Sequence, residues 1–377
     1  MLSLNILYPI PFYPHISGGF LRTFNIAKIA SRFFDRTNLV TVDENFHYDN
    51  KIGSLYLKQH LKYKNFLDKI SYLYRGLFSS SFSWKVPDKY LKKDAFFQIE
   101  EPLFYNALVK NGIENYVLNE HNVNWEIYNL PGTDIKEKIF KRVTRNRNRM
   151  IEENALLNAK KILVCSERDK NVFINALPAL EEEQFIVVPN CIEYEDYEGY
   201  LSSNKREDYT KTVIFLGTFT YYPNIHALKN VCRIAKLSSN DIQFKIIGKN
   251  PPKMDYPDNV LIMGYVDDIK REILNSDLCI APLEHGSGTR LKILEYFAMG
   301  KPVISTSKGA EGIEYTPRKD IIIEDDIHKY PQIIETLIDD EKEKGRLGRN
   351  AKTLIKDKYD WKIYEKPLFK VYEELVS

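Results

Sequence analysis

The chain has 377 residues, with 54 lysines and arginines against 52 acidic residues and a formal charge of +2. That length favours two domains, each able to bury its own core, and the near balance of charge argues against nucleic acid as a partner. No run approaches the roughly 18 apolar residues of a transmembrane helix, and Pro9 and Pro11 break the opening apolar stretch, which lacks a basic leader. Cys165, Cys191, Cys232 and Cys279 stand far apart, in or beside apolar runs. They form neither a zinc-ligand pattern nor a disulfide framework, and imply buried free thiols in a reducing cytosol.

In chain order, LNILYPIP reads as a strand and FLRTFNIAKIASRFF as an amphipathic helix, with AFFQIEEP and ENYVLNEH as later strands. A long basic helix is expected from about Asp134 to Asn158. It is followed by the strand KKILVCS, a shorter helix after Ser166 and the strand QFIVVPN. The segment Glu193–Lys211 is polar, loses periodicity and reads as a linker. Beyond it the alternation restarts. TVIFLGT, QFKIIGK, NVLIMGYV, LCIAPLE, KPVIST and DIIIE are strand candidates, with helices NIHALKNVCRIAKL, DIKREILNS and TRLKILEYFAMG among them.

Two strand–helix alternations in series predict an α/β fold of two doubly wound, Rossmann-like domains facing across a cleft. The expected divisions are residues 1–192 for the first domain, 193–211 for the linker, 212–360 for the second domain and 361–377 for a C-terminal helix. In that last segment, WKIYEKPLFKVYEEL, an amphipathic pattern is interrupted by Pro367. Ligands of such folds bind beyond the carboxyl ends of the strands.

The densest chemistry lies from Pro282 to Thr306, PLEHGSGTRLKILEYFAMGKPVIST. A strand ends at Leu283, a turn with Gly286, Ser287 and Gly288 follows, and a helix is expected to begin near Thr289. The glycines let backbone approach a ligand, and the helix N-terminus offers unpaired N–H groups to a phosphate. Arg290 and Lys292 in the first turn oppose the helix dipole, which an anionic ligand would explain. Glu295, inside the helix, suits two ribose hydroxyls.

The string GTRLKILEYFAMGKPVISTSKGAEG resembles the donor-binding signature of glycosyltransferase family 4, the retaining enzymes of the GT-B fold. SGGFLRTFNIAKIA, EHNVNWE, VPNCIE, FLGTFTYYPNIHAL and GYVDDIKREILNSDLCIAPL resemble further segments of that family in the same order; the likeness is weakest between Asp43 and Phe96. It implies transfer of a sugar from a nucleotide-sugar donor to a glycan or lipid-linked acceptor with retained anomeric configuration, in surface polysaccharide or glycoconjugate synthesis. Gly18 and Gly19 would lie under the donor diphosphate, and His121 would contact the transferred sugar. Arg290 and Lys292 would neutralise the leaving group, and Glu295 would hold the ribose. The backbone around Val266 would read the base. Gly217 and Thr218 would close over the phosphates, and Gly286, Ser287, Gly288 and Thr289 complete the donor turn.

One departure from the family is plain. Many members carry two glutamates with seven residues between them; the second matches Glu295, and the first falls on Ser287. Glu284 and His285 stand nearby as candidate substitutes. The basic residues that many members place after the first strand of the donor domain are absent from FLGTFTYYPN. The acid pairs Asp267-Asp268 and Asp325-Asp326 read as helix caps or loop acids, so no metal or other cofactor is expected. Two rivals share the fold: a nucleotide-sugar epimerase and a catalytically silent partner subunit.

Lys51 to Lys93 holds ten basic residues against two acids, interleaved with aromatics, and the helix after Gly132 is again basic with Ile139, Phe140 and Val143 among the charges. Both stretches suit peripheral contact with an anionic membrane, at the inner face of the cell membrane.

Overall fold

The computed structural model of the chain describes every residue except 13–17, 45–46, 63–65, 80, 130–134, 209 and 287–289. The chain divides into two compact units, one of residues 1–129, 134–189 and 364–377 and the other of 130–133 and 190–363.

The first unit is built on an eight-stranded sheet. Its strands are β1 (Ser3–Leu7), β2 (Arg36–Asp43), β3 (Tyr48–Ile52), β4 (Leu55–Leu61), β5 (Phe96–Ile99), β6 (Tyr116–Asn119), β7 (Lys161–Val164) and β8 (Phe185–Val187). They lie in the order β3-β4-β2-β1-β5-β6-β7-β8, and only the β3/β4 pair is antiparallel. The helices are α1 (Gly18–Phe33), α2 (Phe66–Phe78), α3 (Tyr105–Lys110), α4 (Asn124–Tyr128), α5 (Ile135–Asn158) and α6 (Glu167–Ala176). Ser166 caps α6 by accepting from the Asp169 amide. Leu4, Ile6, Leu7, Phe97, Ile99, Val117 and Leu118 are fully buried, as parallel strands covered on both faces require.

Two helices of this unit carry apolar residues outward. On α2, Leu67, Ile70, Leu73 and Tyr74 are exposed, Leu67 by 75%; on α5 the same holds for Ile139, Phe140, Val143 and Met150. The two helices pack on each other. Several basic residues around them are already engaged. Arg147 donates to the Gly76 carbonyl at 2.5 Å and lies over the Phe82 ring. Lys69 pairs with Glu44, Lys85 with Asp68, and Lys58 with Asp49. Lys138, Arg142 and Arg145 on α5 remain exposed.

In the second unit, α7 (Tyr194–Ser203) precedes β9 (Thr212–Leu216). The segment expected to be a linker therefore opens with a helix. Tyr194 and Tyr197 are buried in this unit's core with Leu201 packed beside them, an i, i+3, i+7 stripe concealed by the acids around it. There follow α8 (Tyr222–Leu237), β10 (Gln243–Ile247), β11 (Val260–Gly264), α9 (Ile269–Asn275), β12 (Leu278–Ala281), α10 (Leu291–Ala298), β13 (Val303–Ser305), β14 (Ile322–Ile323), α11 (Tyr330–Ile338) and α12 (Glu341–Lys358). The sheet is parallel with strand order β11-β10-β9-β12-β13-β14.

The chain then returns to the first unit as α13 (Glu365–Val376). Pro367 does not interrupt this helix. It sits in the first turn, where a missing N–H removes no intrahelical bond. Leu368, Val371, Tyr372 and Leu375 are buried, with Tyr372 against Phe33 and Phe34 of the α1 end.

Among the described residues no helix is long and apolar enough to cross a membrane. The four cysteines are buried and unbonded to one another. Burial pushes the thiols of Cys165 and Cys232 up to about 11 and that of Cys279 up to about 12.

Asp277, ahead of β12, fastens the residues after α7. Arg206 grips both its oxygens at 2.7 and 2.9 Å, the Thr212 amide donates at 3.0 Å, and buried Lys344 at 3.1 Å. Burial alone would raise its pKa, but these donors outweigh it and hold the carboxyl below the usual aspartate range. A depressed folded pKa gives stability that is complete above the unfolded value and is lost as pH falls through the folded one. Asp277→Ala removes the shared acceptor of Arg206, Thr212 and Lys344 and leaves Lys344 with the Ile338 carbonyl and Glu341, so urea unfolding at neutral pH should show a loss of about 1–3 kcal/mol. The gap to wild type should narrow as pH falls below about 4.

Candidate functional site

Among the parallel strands of each sheet the order reverses once, between β1 and β5 in the first unit and between β9 and β12 in the second. Connections leaving the two strands at such a point diverge and open a crevice at their carboxyl ends. The residues singled out from the sequence gather at these two places.

At the first, α1 starts at Gly18 after β1, while Glu100 follows β5 and His121 follows β6. A side chain on Gly19 would stand 3.3 Å from the Tyr8 hydroxyl and 3.9 Å from His121 Nδ1, so the helix start and the histidine adjoin. His121 Nε2 lies 2.9 Å from Glu100 Oε2. Glu100 is fully buried and also accepts from Thr23 Oγ1 at 2.7 Å, Asn119 Nδ2 at 2.8 Å and Gln98 Nε2 at 2.5 Å. Burial would raise the Glu100 pKa, but His121, Thr23 and Gln98 together hold it below the ordinary glutamate value. An ionised carboxylate only accepts, which fixes the proton of His121 on Nε2.

The network extends on both sides. Arg22 of α1 donates to Asn119 Oδ1 at 3.0 Å and to the Val188 carbonyl at 2.6 Å, and the Tyr372 hydroxyl donates to Gln98 at 3.0 Å. Sequence reading found Gly18, Gly19 and His121 but not Arg22, Thr23, Gln98 or Glu100. The glutamate stands within AFFQIEEP, and only the fold reveals four donors around it.

Asn124, beside His121 in sequence, faces acids. Its side chain donates to Glu101 at 3.1 Å and Glu120 at 3.2 Å, and its amide donates to Glu152 at 3.0 Å. Burial pushes Glu101 up to about 7 and raises Glu120 and Glu152 well above the usual range.

At the second reversal, the loop with Gly217 and Thr218 follows β9, and the turn with Gly286 follows β12. Asn224 of α8 joins them. It donates to the Thr218 carbonyl at 2.9 Å and accepts from Lys292 Nζ at 2.8 Å. Gly248 closes the other side: it has φ +143°, and a Cβ there would stand 1.6 Å from the Gly217 carbonyl oxygen. Asn224 had no signal of its own in the sequence beyond its place in FLGTFTYYPNIHAL.

Arg290 is the N-cap of α10 and is buried, so the helix begins at Leu291, slightly later than expected. Gly286 has φ +107°, and a Cβ there would meet Arg290 Nη2 at 2.8 Å and Pro223 at 3.2 Å. This glycine thus makes room for the guanidinium; the sequence had suggested room for a ligand. Ser287, Gly288 and Thr289 lie outside the described residues.

Lys292 and Glu295 share one face of α10. Lys292 Nζ sits 4.5 Å from the Phe215 ring centroid, and burial, with Arg290 nearby, pushes its pKa down to about 7. Burial pushes Glu295 up to about 7, against the pull of Lys292 and a hydrogen bond from Tyr197. Tyr197 comes from α7, which the sequence had read as linker. Val266 lies on the same carboxyl-end edge, in the turn from β11 to α9. Asp268 caps α9 by accepting from the Arg271 amide at 3.0 Å, and also takes a hydrogen bond from Tyr200 at 2.7 Å. Asp325 accepts from the Ser307 amide and hydroxyl, and Asp326 from the His328 amide. Asp268, Asp325 and Asp326 thus cap or bind backbone, as their sequence context suggested.

Residues 210–340 match the family model described as glycosyl transferases group 1. No curated protein matches the chain. Among solved structures, sucrose-phosphate synthase from Thermosynechococcus elongatus is 13% identical, with 100% of this chain and 99% of that one covered, at TM-score 0.77. HepE from Anabaena, in complex with UDP and glucose, is 13% identical with 99% and 100% covered, at TM-score 0.68. A glycosyltransferase from Rickettsia africae is 13% identical with 100% and 99% covered, at TM-score 0.65. The fold is GT-B, two α/β units with mainly parallel sheets. With the matched domain in its second unit, the protein is a glycosyltransferase.

The Glu100 network yields a prediction that does not depend on the substrate. Glu100→Gln turns an amide N–H₂ toward groups that themselves donate, and should cost about 1–3 kcal/mol by denaturant unfolding. Wild-type stability in this variant would mean that the network is not built around an ionised carboxylate.

Proposed function

We propose that the protein transfers a sugar, with retention, from a nucleotide-sugar donor to a glycan or lipid-linked acceptor. The observation that carries this reading is the set around Asn224 at the β9/β12 reversal. Lys292 and the Thr218 backbone are tied to one side chain, and Arg290 and Glu295 stand on the same short helix. A buried lysine pushed toward neutrality and a carboxyl pushed toward protonation are groups short of their partners. A diphosphate supplies the anion that Lys292 lacks, with the Arg290 guanidinium beside it, and two ribose hydroxyls supply what Glu295 lacks. UDP complexes of HepE, whose fold this chain shares, support a nucleotide donor.

On this reading the bond between the sugar C1 and the diphosphate oxygen breaks as the acceptor oxygen bonds to C1 from the same face. The acceptor proton passes to the departing phosphate oxygen. Arg290 and Lys292 balance the charge that grows on the diphosphate, so the transfer step is assigned to protein cations. Gly18, Gly19, Gly217 and Thr218 offer backbone to the phosphates, Val266 to the base, and His121, held in one tautomer by Glu100, contacts the transferred sugar.

Calorimetry with nucleoside diphosphates tests the donor site. Glu295→Ala removes a charge-assisted acceptor worth roughly 1.5–3 kcal/mol, so affinity should fall at least about tenfold with the fold intact. The sign of proton exchange is a sharper check. Near pH 8 the diphosphate raises the Lys292 pKa from about 7 and a proton is taken up. Near pH 6 the ribose hydroxyls favour ionised Glu295, also at about 7 when free, and a proton is released. The buffer dependence of the binding enthalpy should therefore reverse between those pH values, and a constant sign would overturn the assignment. Donor binding with no transfer to any acceptor would favour the silent-subunit reading, which the serine at position 287 motivates.

The acceptor is proposed to be met at a membrane. Leu67, Ile70 and Tyr74 on α2 and Ile139, Phe140 and Val143 on α5 are exposed apolar residues, with Lys138, Arg142 and Arg145 among them. Attraction of about 1 kcal/mol per basic side chain near anionic lipid suffices for reversible docking. The protein should float with anionic vesicles at low salt, dissociate as salt rises, and bind several-fold less as Leu67→Ser/Phe140→Ser. Equal binding to neutral and anionic vesicles, or none to either, would remove the membrane from the proposal.

A further inference from the structure

One cluster in the second unit has no part in the reading above. His226 on the second turn of α8 meets Glu284 and His285, which follow β12, and one ligand atom from each lies within 4.8 Å of the other two. His226 Nδ1 is 3.5 Å from Glu284 Oε2, and the two imidazole rings stand edge to face with centroids 4.7 Å apart. The Tyr222 ring, one helical turn before His226, packs against both histidines. His226 Nδ1 is itself buried, yet it makes no hydrogen bond. A polar nitrogen shut away from water without a hydrogen bond costs free energy that a ligand would recover.

We infer that His226, Glu284 and His285 form a binding site for a divalent transition metal ion, with zinc the best fit. Two imidazoles and one carboxylate are a common three-residue set for zinc, leaving a fourth position for water. Donor atoms around a tetrahedral zinc, at about 2.0–2.2 Å from the metal, stand roughly 3.4 Å apart, close to the present His226–Glu284 spacing. Nitrogen donors select against magnesium and calcium. The ion would clamp the loop after β12 to α8. The site does not rest on the proposed transfer reaction, and its test needs no sugar.

Untagged protein, stripped with chelator, is titrated with zinc chloride by calorimetry and with cobalt chloride by visible spectroscopy. One ion per chain and a ligand-field band of a four- or five-coordinate nitrogen–oxygen site are expected. His226→Ala and His285→Ala should each weaken zinc binding by about a hundredfold or more, and Glu284→Gln by at least about tenfold. His328→Ala, at an exposed histidine elsewhere in the unit, should leave it unchanged. If a histidine variant fails to fold, Glu284→Gln carries the test, since that residue is exposed. Absence of stoichiometric uptake by wild type would overturn the inference. So would uptake undiminished in the folded variants.

Discussion

The feature on which the sites depend is the single reversal of strand order in each parallel sheet. Parallel neighbours need a crossover between them, and crossovers of one hand send successive helices to one face while strands are added in one direction. Where the direction changes, the two connections part, and the carboxyl ends of two adjacent strands lose their cover. In the second unit those ends belong to β9 and β12, which carry the Thr218 loop and the Gly286 turn. In the first they belong to β1 and β5, which lead into Gly18 and Glu100. Everything polar in the two sites descends from that topology.

Burial then sets the chemistry. Lys292 and Glu295 are held near the middle of the pH scale because the sheet and α7 exclude water from them without fully pairing them. Glu100 is the opposite case. It is more deeply enclosed, yet its donors keep it ionised. A group that is already satisfied serves to orient its neighbour, here His121; a group left wanting is suited to receive a ligand. On the proposed function, the two units divide positioning from binding by the same electrostatic means.

Much of this was legible in the sequence. Buried parallel strands are near-continuous apolar runs, so β1, β5 to β9 and β10 to β13 stood out, and the glycine turn with Arg290, Lys292 and Glu295 announced itself by composition. What escaped did so for physical reasons. In α7 tyrosines did the burying, and an alternation of tyrosine with acids resembles a solvated linker. Pro367 looked like a break because a helix start cannot be placed from a period alone. Strands β3 and β4 fall in the stretch that resembles the family least, and β2 ends where that stretch begins. Glu100, Asn224 and His226 act through partners far away in sequence, and such partnerships exist only once the sheets have brought them together.

The return of the chain to the first unit as α13 bears on biogenesis. Tyr372, eight residues into that helix, supplies the hydroxyl that completes the Gln98–Glu100–His121 chain, and Phe33 and Phe34 wait at the end of α1 for its ring. A ribosome delivers residues 365–376 after the whole second unit, so the first unit must hold its sheet without the cover of α13 while the other is made. The hydrogen-bond chain that runs from Tyr372 through Gln98 to Glu100, the partner of His121, is therefore complete only after the second unit has been made. A nascent chain stalled short of Tyr372 would hold both sheets while the network around His121 still lacked that hydroxyl.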